Sequence, residues 1–255
     1  MILGRTIAVA NQKGGVGKST TAINLSACLA EQGKKVLTID MDPQGNTTSG
    51  LGVDKNEVED TLYELLVGQS DVEKTIVKDV VENVDLIPSN VNLSGAEIEL
   101  VGIDNKEYIL KEITDKIKNN YDYIIIDCPP SLGLLSLNAL TASDTLIVPL
   151  QCEYYALEGL SQLLGTVRTV KQHYNEHLEL EGVLYTMYDT RLKLNSQVID
   201  EVNQYFPNKA YKTTIPRSVK LAEAPSFGKP IFYYEKYSKP AFAYKKFADE
   251  FLKKQ

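Results

Sequence analysis

The sequence predicts an α/β fold, a twisted and mostly parallel sheet with helices on both faces. Three observations lead there. A glycine-rich stretch, Asn11-Gln12-Lys13-Gly14-Gly15-Val16-Gly17-Lys18-Ser19-Thr20, lies between an apolar strand pattern and a helix pattern. Two apolar runs, Val36-Leu37-Thr38-Ile39 and Tyr123-Ile124-Ile125-Ile126, lack the alternation of half-exposed strands, and each delivers an aspartate, Asp40 or Asp127, at its carboxyl end. Helical periodicities separate the strand runs, which calls for crossover connections and hence parallel pairing. With 255 residues and 43% hydrophobic content the chain can bury one large core, so a single domain over 1–255 is expected.

The first strand, residues 6–10, leads into the glycine-rich loop. Its glycines let the backbone turn N–H groups inward, and a helix starting near Lys18 adds the positive end of its dipole, so the loop is an anion cradle. In a Gly-Lys-Ser ending, the lysine (Lys18) reaches the β- and γ-phosphates of a nucleotide and the hydroxyl (Ser19) takes a magnesium position. The standard spacing asks for glycine at position 12, where this chain has Gln12, and an extra cation, Lys13, sits inside the loop.

A helix over 19–32 carries Ile23, Ala27 and Ala30 at helical spacing and stops at Gly33. The next strand, 35–39, ends at Asp40, and ligands bind at such strand ends. Asp40-Met41-Asp42-Pro43-Gln44-Gly45-Asn46 gathers two carboxylates, a proline, an amide and a glycine. That composition suits a switch loop in which a carboxylate accepts a hydrogen bond from the attacking water; a local Asx turn is the alternative for Asp42.

Residues 51–70 are acidic and turn-rich, with a short helix over 61–67 ending at Gly68. A strand over 84–89 stops at Pro88, and a short helix over 93–100 follows with Asn92 or Ser94 as its cap. The helix over 106–119 places Ile109, Leu110, Ile113 and Ile117 on one face. The strand over 121–127 puts Asp127 beside Ser19, where a hard cation between phosphates needs oxygen ligands. The turn holding Pro129, Pro130, Ser131 and Gly133 is expected to sense the γ-phosphate.

A parallel strand over 144–150 and a helix over 157–171 come next, the latter burying Leu157, Leu160, Leu163, Leu164, Val167 and Val170. His173, Glu176 and His177 formally fit H-x-x-E-H, but they fall at a helix end, hold both histidines of the chain and lack a third ligand, so no zinc is expected. A strand over 181–188 and a helix over 195–205 follow, and a last helix over 237–254 carries Tyr244, Phe247, Ala248, Phe251 and Leu252 on its core face.

Net charge is −7, yet residues 186–255 carry 13 Lys and Arg against 7 Asp and Glu. Arg191, Lys193, Lys209, Lys212, Arg217, Lys220 and Lys229 are spread over loops and short elements, the pattern of a folded basic patch rather than a helix-turn-helix reader. No basic-then-apolar leader opens the chain, so a cytoplasmic protein is expected. Cys28, Cys128 and Cys152 lack paired spacing and are expected to be reduced and buried.

The stretch from Lys13 to Ser19, with Asp40, Asp42 and Asp127, resembles the deviant P-loop of the ParA/MinD family of ATPases, and the likeness runs from the first strand to the last helix. The resemblance implies a P-loop NTPase-like fold binding ATP and Mg2+. Lys13 would cross a dimer interface to the partner's nucleotide and act in catalysis with Lys18 and Asp42. Gly14, Gly15, Val16, Gly17, Ser19 and Thr20 would hold phosphates, and Pro216 and Ser218 would lie at the adenine. Ser19, Asp40 and Asp127 would form the magnesium site, with Asp42 orienting water and residues 43–46 lining the dimer-facing side.

Among members of that family the chromosomal Soj-type ParA proteins are most similar. They imply an ATP-dependent homodimer that binds double-stranded DNA nonspecifically, through Arg191 and Arg217 or Lys220 here, on the nucleoid. A ParB-type, Spo0J-like centromere-binding partner would stimulate hydrolysis and release. The alternative is a MinD-like membrane-associated positioning ATPase, which relies on a terminal basic amphipathic tail that this sequence does not show before Gln255, so no membrane partner is expected. Cys128 and Cys152 do not match the cysteine motifs of a nitrogenase iron-protein-like reductase.

Overall fold

The computed structural model describes residues 4–153, 156–189 and 191–254, apart from the side chains of 156–158, 193, 194 and 205. The expectations for Leu157 and Lys193 therefore lie outside the described side chains. Strands β1 (Arg5–Val9), β2 (Val36–Asp40), β3 (Val77–Val81), β4 (Val84–Ile87), β5 (Tyr123–Asp127), β6 (Thr145–Gln151), β7 (Glu179–Tyr188) and β8 (Ala210–Pro216) form one sheet in the order β3-β4-β2-β5-β1-β6-β7-β8. All neighbours pair in parallel except β3 and β4, which form an antiparallel hairpin.

The helices are α1 (Lys18–Glu31), α2 (Asn46–Gly50), α3 (Leu62–Leu66), α4 (Val72–Thr75), α5 (Leu93–Glu99), α6 (Ile109–Ile117), α7 (Leu134–Ala142), α8 (Ala156–His173), α9 (Lys193–Tyr205), α10 (Val219–Glu223), α11 (Ile231–Tyr234) and α12 (Lys239–Leu252). Alternate residues of the central strands enter two separate cores, as a sheet covered on both faces requires. Ile7, Val9, Ile125 and Ile147 pack under α1 and α12, where Tyr211 meets Phe247 edge-on at 4.8 Å. Ala8, Leu37, Ile39, Ile124, Ile126 and Val148 pack beneath α3 and α5 to α9. The core face of α12 is as expected, with Tyr244, Phe247, Ala248 and Phe251 buried and Leu252 packed at its margin.

The differences from expectation have local causes. β3 is an edge strand with a bulge and with Asp79 at φ 49°, so Val77-Lys78-Asp79-Val80-Val81 shows no clean alternation. β8 does alternate, burying Tyr211, Thr213 and Ile215, but lies in a lysine-bearing stretch that reads as surface. Asn92 makes no side-chain cap to α5; instead its own N–H donates to Asn90 Oδ1 at 3.0 Å. Cys28, Cys128 and Cys152 are buried free thiols, and burial pushes Cys28 up to about 12 and Cys152 to about 11. No described helix is long and apolar enough to cross a membrane.

Candidate active site

The glycine-rich loop emerges at the carboxyl end of β1 and is pinned on two sides. Asn11 donates through Nδ2 to the Pro149 carbonyl at 2.7 Å and accepts the Lys13 N–H at 3.0 Å. Thr186, on β7, donates its hydroxyl to the Val16 carbonyl at 2.8 Å. Gly15 and Gly17 have φ of 73° and 87°, a region that penalises any side chain, and no side chain caps the start of α1. The uncapped N–H groups therefore remain available to an anion.

These residues wall a cleft of about 450 Å³ formed by Gly14, Gly15 and Gly17 to Thr20 on one side and Asp42, Gln44 and Pro130 on the other. Lys18 is buried, and its Nζ donates to the Lys13 carbonyl at 3.3 Å. Burial lowers its pKa, against the pull of the Asp127 and Asp42 carboxylates. A desolvated ammonium with one long hydrogen bond gains strongly from a phosphate.

Asp40 and Asp127 face each other in register on adjacent strands, both fully buried. Burial raises both carboxyls well above the ordinary carboxylate range, and the Asp40 charge pushes Asp127 higher still. Asp127 accepts the Thr47 hydroxyl at 2.7 Å through Oδ2, and the nearby Ser19 side chain favours its ionised form, while its buried Oδ1 has no partner among the described residues. An orphaned carboxylate oxygen beside a serine hydroxyl fits a hard cation, whose charge offsets the burial penalty. Asp40 is otherwise occupied: Oδ2 accepts the N–H and hydroxyl of Thr48, both at 2.7 Å, and Oδ1 accepts the Asp42 N–H at 3.2 Å. Its visible work is to anchor α2 and the loop after β2.

Asp42 is 7% exposed and lines the cleft, yet its Oδ1 also accepts the Gln44 N–H at 2.9 Å. The Asx turn and a place at the cleft thus coexist in one residue. Ser89 holds the loop from outside by donating to the Asp42 carbonyl at 2.9 Å. Lys13 forms an ion pair with Glu153 on its own chain.

A second cavity, about 270 Å³ and largely apolar, adjoins the loop at Gly17 and Thr20 and is closed by Thr186, Met187, Pro216, Ser218 and Leu221. Pro216 and Ser218 are thus brought to the nucleotide side; the Ser218 hydroxyl also caps α10, accepting the Lys220 N–H at 3.2 Å. Beyond it lies a hollow of about 690 Å³ with four cations on its wall, Arg191, Arg217, Lys239 and Lys246. Arg191 pairs with Asp189, Nη2 to Oδ2 at 2.6 Å, and its side chain is 85% exposed. Lys220 stands apart from the hollow, 3.7 Å from Glu223 and 3.8 Å from Glu235.

His173 ends α8 against Tyr174, and His177 pairs with Glu176 at 3.4 Å on the exposed loop after it. Among the described residues no group of three His, Cys, Asp or Glu side chains is arranged to hold a metal ion. The sequence reading missed Thr47, Thr48, Thr186 and Glu153. Hydroxyls and a distant acid leave no local pattern, and only the fold brings them to the loop.

The chain is similar to known proteins over nearly its whole length. The AAA domain family matches residues 4–180. The chain is 58% identical to the sporulation initiation inhibitor protein Soj of Bacillus subtilis over 97% of its length and 98% of that protein. It is 48% identical to the chromosome partitioning protein ParA of Myxococcus xanthus, covering 99% of this chain and 89% of that one. Among solved structures, cobyrinic acid a,c-diamide synthase from Mycobacterium smegmatis, with bound ATP analogue and magnesium, superimposes with TM-score 0.86 at 40% identity over 98% of this chain and 95% of that one. A putative plasmid partition protein from Borrelia burgdorferi bound to AMPPNP gives 0.84 at 29% identity over 99% and 100%. Near-full-length identity to partition proteins, joined to a lysine inside a glycine-rich phosphate loop and two buried strand-end aspartates, places this chain in the Soj/ParA family of chromosome-partitioning ATPases.

Proposed function

We propose that the chain, acting as one ATPase domain, uses ATP and magnesium to form a homodimer that holds double-stranded DNA without reading its sequence. The observation that carries this reading is shared lining: Pro216 and Arg217 wall both the apolar cavity beside the phosphate loop and the cationic hollow behind it. A base filling the first cavity presses on the same two residues that shape the second. Lys18 and the N–H groups of residues 14–20 bind the phosphates, and Ser19 and Asp127 hold magnesium, which supplies charge neutralisation to the phosphates. Asp42 accepts a hydrogen bond from the attacking water. A ParB-type partner stimulates hydrolysis and so releases the dimer from nucleoid DNA.

Lys13 supplies the coupling. For it to reach a partner's phosphates the pair with Glu153 must open; that pair is 37% and 46% exposed, so opening costs roughly 0–1 kcal/mol. Lys13→Ala is expected to retain ATP within several-fold of the parent affinity and to lose ATP-dependent dimerisation, read by sedimentation velocity. An ATP-dependent dimer in that variant removes Lys13 from the interface.

Two weak cationic hollows joined by dimerisation gain effective concentration on one duplex. Arg191 lines the cationic hollow and not the apolar cavity, and Arg191→Glu is expected to weaken DNA binding at least about tenfold with ATP turnover intact. If roughly four phosphates are neutralised per dimer, log K falls with log salt at a slope of about −3.6. The deciding experiment is DNA retention by the purified protein with ATP, ADP or no nucleotide, beside anionic vesicles. Retention that ignores the nucleotide, or that favours vesicles, overturns the reading.

A further inference from the structure

The phosphate cleft and the apolar cavity share a wall. Leu221 and Ala222, on α10, line both, and Pro225, in the turn Ala224–Phe227 that follows α10, lines the cleft. Another side of the cleft is made by Asp42, Gln44 and Asn46, with Ser49 on α2. A base in the cavity therefore presses on one wall, whereas the Asp42 carboxylate belongs to a different one.

Beyond the cleft these two walls meet backbone to backbone. Gly52 closes the turn after α2 at φ 85°, its N–H donating to the Ser49 carbonyl at 3.0 Å. Gly228 closes the turn after α10 at φ 59°, its N–H donating to the Pro225 carbonyl at 3.0 Å. A Cβ on Gly228 would come within 2.6 Å of the Gly52 Cα, and one on Gly52 within 3.0 Å of the Gly228 carbonyl oxygen. Gly68 holds the same left-handed conformation, φ 75°, yet a Cβ there meets nothing within 4 Å. The close approach of two chains, and not the turn alone, sets Gly52 and Gly228 apart. The α2 side of this contact is firmly held. Thr48 gives its N–H and hydroxyl to Asp40, the Ser89 N–H donates to the Thr48 hydroxyl at 2.9 Å, and Leu51 is buried with Ile23 and Leu86. The Gly45 N–H, just before α2, donates to the Asp42 carbonyl at 2.9 Å. A shift delivered at Gly52 is passed along this packed segment toward Asp42 instead of being absorbed.

We infer that Gly52 and Gly228 are positioning residues for hydrolysis, and that through their contact a base in the apolar cavity sets the place of Asp42 in the phosphate cleft. This rests on the reading of Asp42 as the carboxylate that holds the attacking water. Binding energy from the base, remote from the reacting phosphorus, is then used at the reacting centre and appears in kcat more than in KM. A triphosphate without a base is gripped by the same glycine-rich loop but leaves the α10 wall unpressed. Phosphoryl transfer depends mainly on positioning, and a displacement of about 1 Å can cost about 100-fold in rate.

The test compares phosphate release from saturating ATP and from saturating ribose 5-triphosphate, the analogue without a base, both with magnesium and the full chain. In the parent, kcat for ATP is expected to exceed kcat for ribose 5-triphosphate at least about tenfold. Gly228→Ala and the milder Gly52→Ala are expected to keep ATP affinity within about threefold and to sediment with ATP as the parent does. Their kcat for ATP is expected to fall at least about fivefold, toward that of ribose 5-triphosphate, which they leave unchanged. Gly68→Ala, strained in the same conformation without the contact, is expected to lower the thermal midpoint and to leave both kcat values at those of the parent. Equal kcat for the two substrates in the parent would overturn the inference, as would glycine variants that turn over ATP at the parent rate. Variants that slow both substrates alike would reduce the contact to a structural one, and variants that lose ATP-dependent self-association would assign it to pairing; either overturns the positioning role. Failure of the Asp42 reading shows separately, as parent-rate turnover in Asp42→Asn.

Discussion

Lys18→Ala is expected to abolish useful nucleotide binding, with ATP affinity falling at least about 100-fold, and to leave the fold intact. The ammonium is buried at the start of α1 and, among the described residues, spends only one hydrogen bond, at 3.3 Å, on the protein. Two charge-assisted bonds to phosphate oxygens at roughly 1.5 kcal/mol or more each amount to about 3 kcal/mol, which is about two decades of affinity. Stability moves the other way. Burial lowers the folded-state pKa of Lys18, so its charged form opposes folding at any pH below that value, and the opposition fades as pH rises toward the unfolded pKa. At pH 7 the unliganded alanine variant therefore unfolds at a temperature equal to or above that of the parent. ATP raises the parent's midpoint and leaves the variant's where it was. Calorimetric titration and thermal unfolding, run together, separate the two effects; unaltered ATP affinity would falsify the phosphate role of Lys18.

Much of this site is legible in the sequence because its chemistry is local. A phosphate loop needs Gly15 and Gly17 at positive φ and Lys18 at a helix start, within four residues of one another. Buried parallel strands announce themselves as unbroken apolar runs, and their last residues, Asp40 and Asp127, fall at the ligand-binding edge because all strands beside β1 point the same way. What stays hidden is set by partners far apart in the chain. Glu153 reaches Lys13 across 140 positions, and Thr47 reaches Asp127 across 80. The cationic hollow is half legible: Arg191 and Arg217 stand out as charges after β7 and β8, whereas Lys239 and Lys246 read as the wet side of an amphipathic helix until α12 packs against β8. Lys220 stands out in the sequence as much as Arg217, yet Glu223 and Glu235 surround it. β8 is the opposite case: its alternation is present in the sequence, but Lys212 within it gives the segment the look of a surface stretch.

Asp42→Asn separates what Asp42 does for the loop from what it does for the reaction. Its Oδ1 accepts the Gln44 N–H at 2.9 Å, and an asparagine Oδ1 accepts the same bond, so the turn and the Ser89 anchor on the Asp42 carbonyl both survive. The charge does not survive. An amide binds water but is a far poorer acceptor for the proton of an attacking water, and loss of a positioned general base costs about 100- to 10,000-fold in rate. The expected result is ATP affinity within several-fold of the parent with kcat reduced at least about 100-fold, so that the ATP-bound dimer and its DNA persist long after mixing. Asp42→Ala removes turn and charge together and is expected to match the loss in kcat while also weakening ATP binding, because Gln44 and the rest of the cleft wall lose their anchor. If Asp42→Asn turns over at the parent rate while Asp42→Ala does not, the carboxylate is a turn residue alone, and the water must be held by another group facing the 450 Å³ cleft.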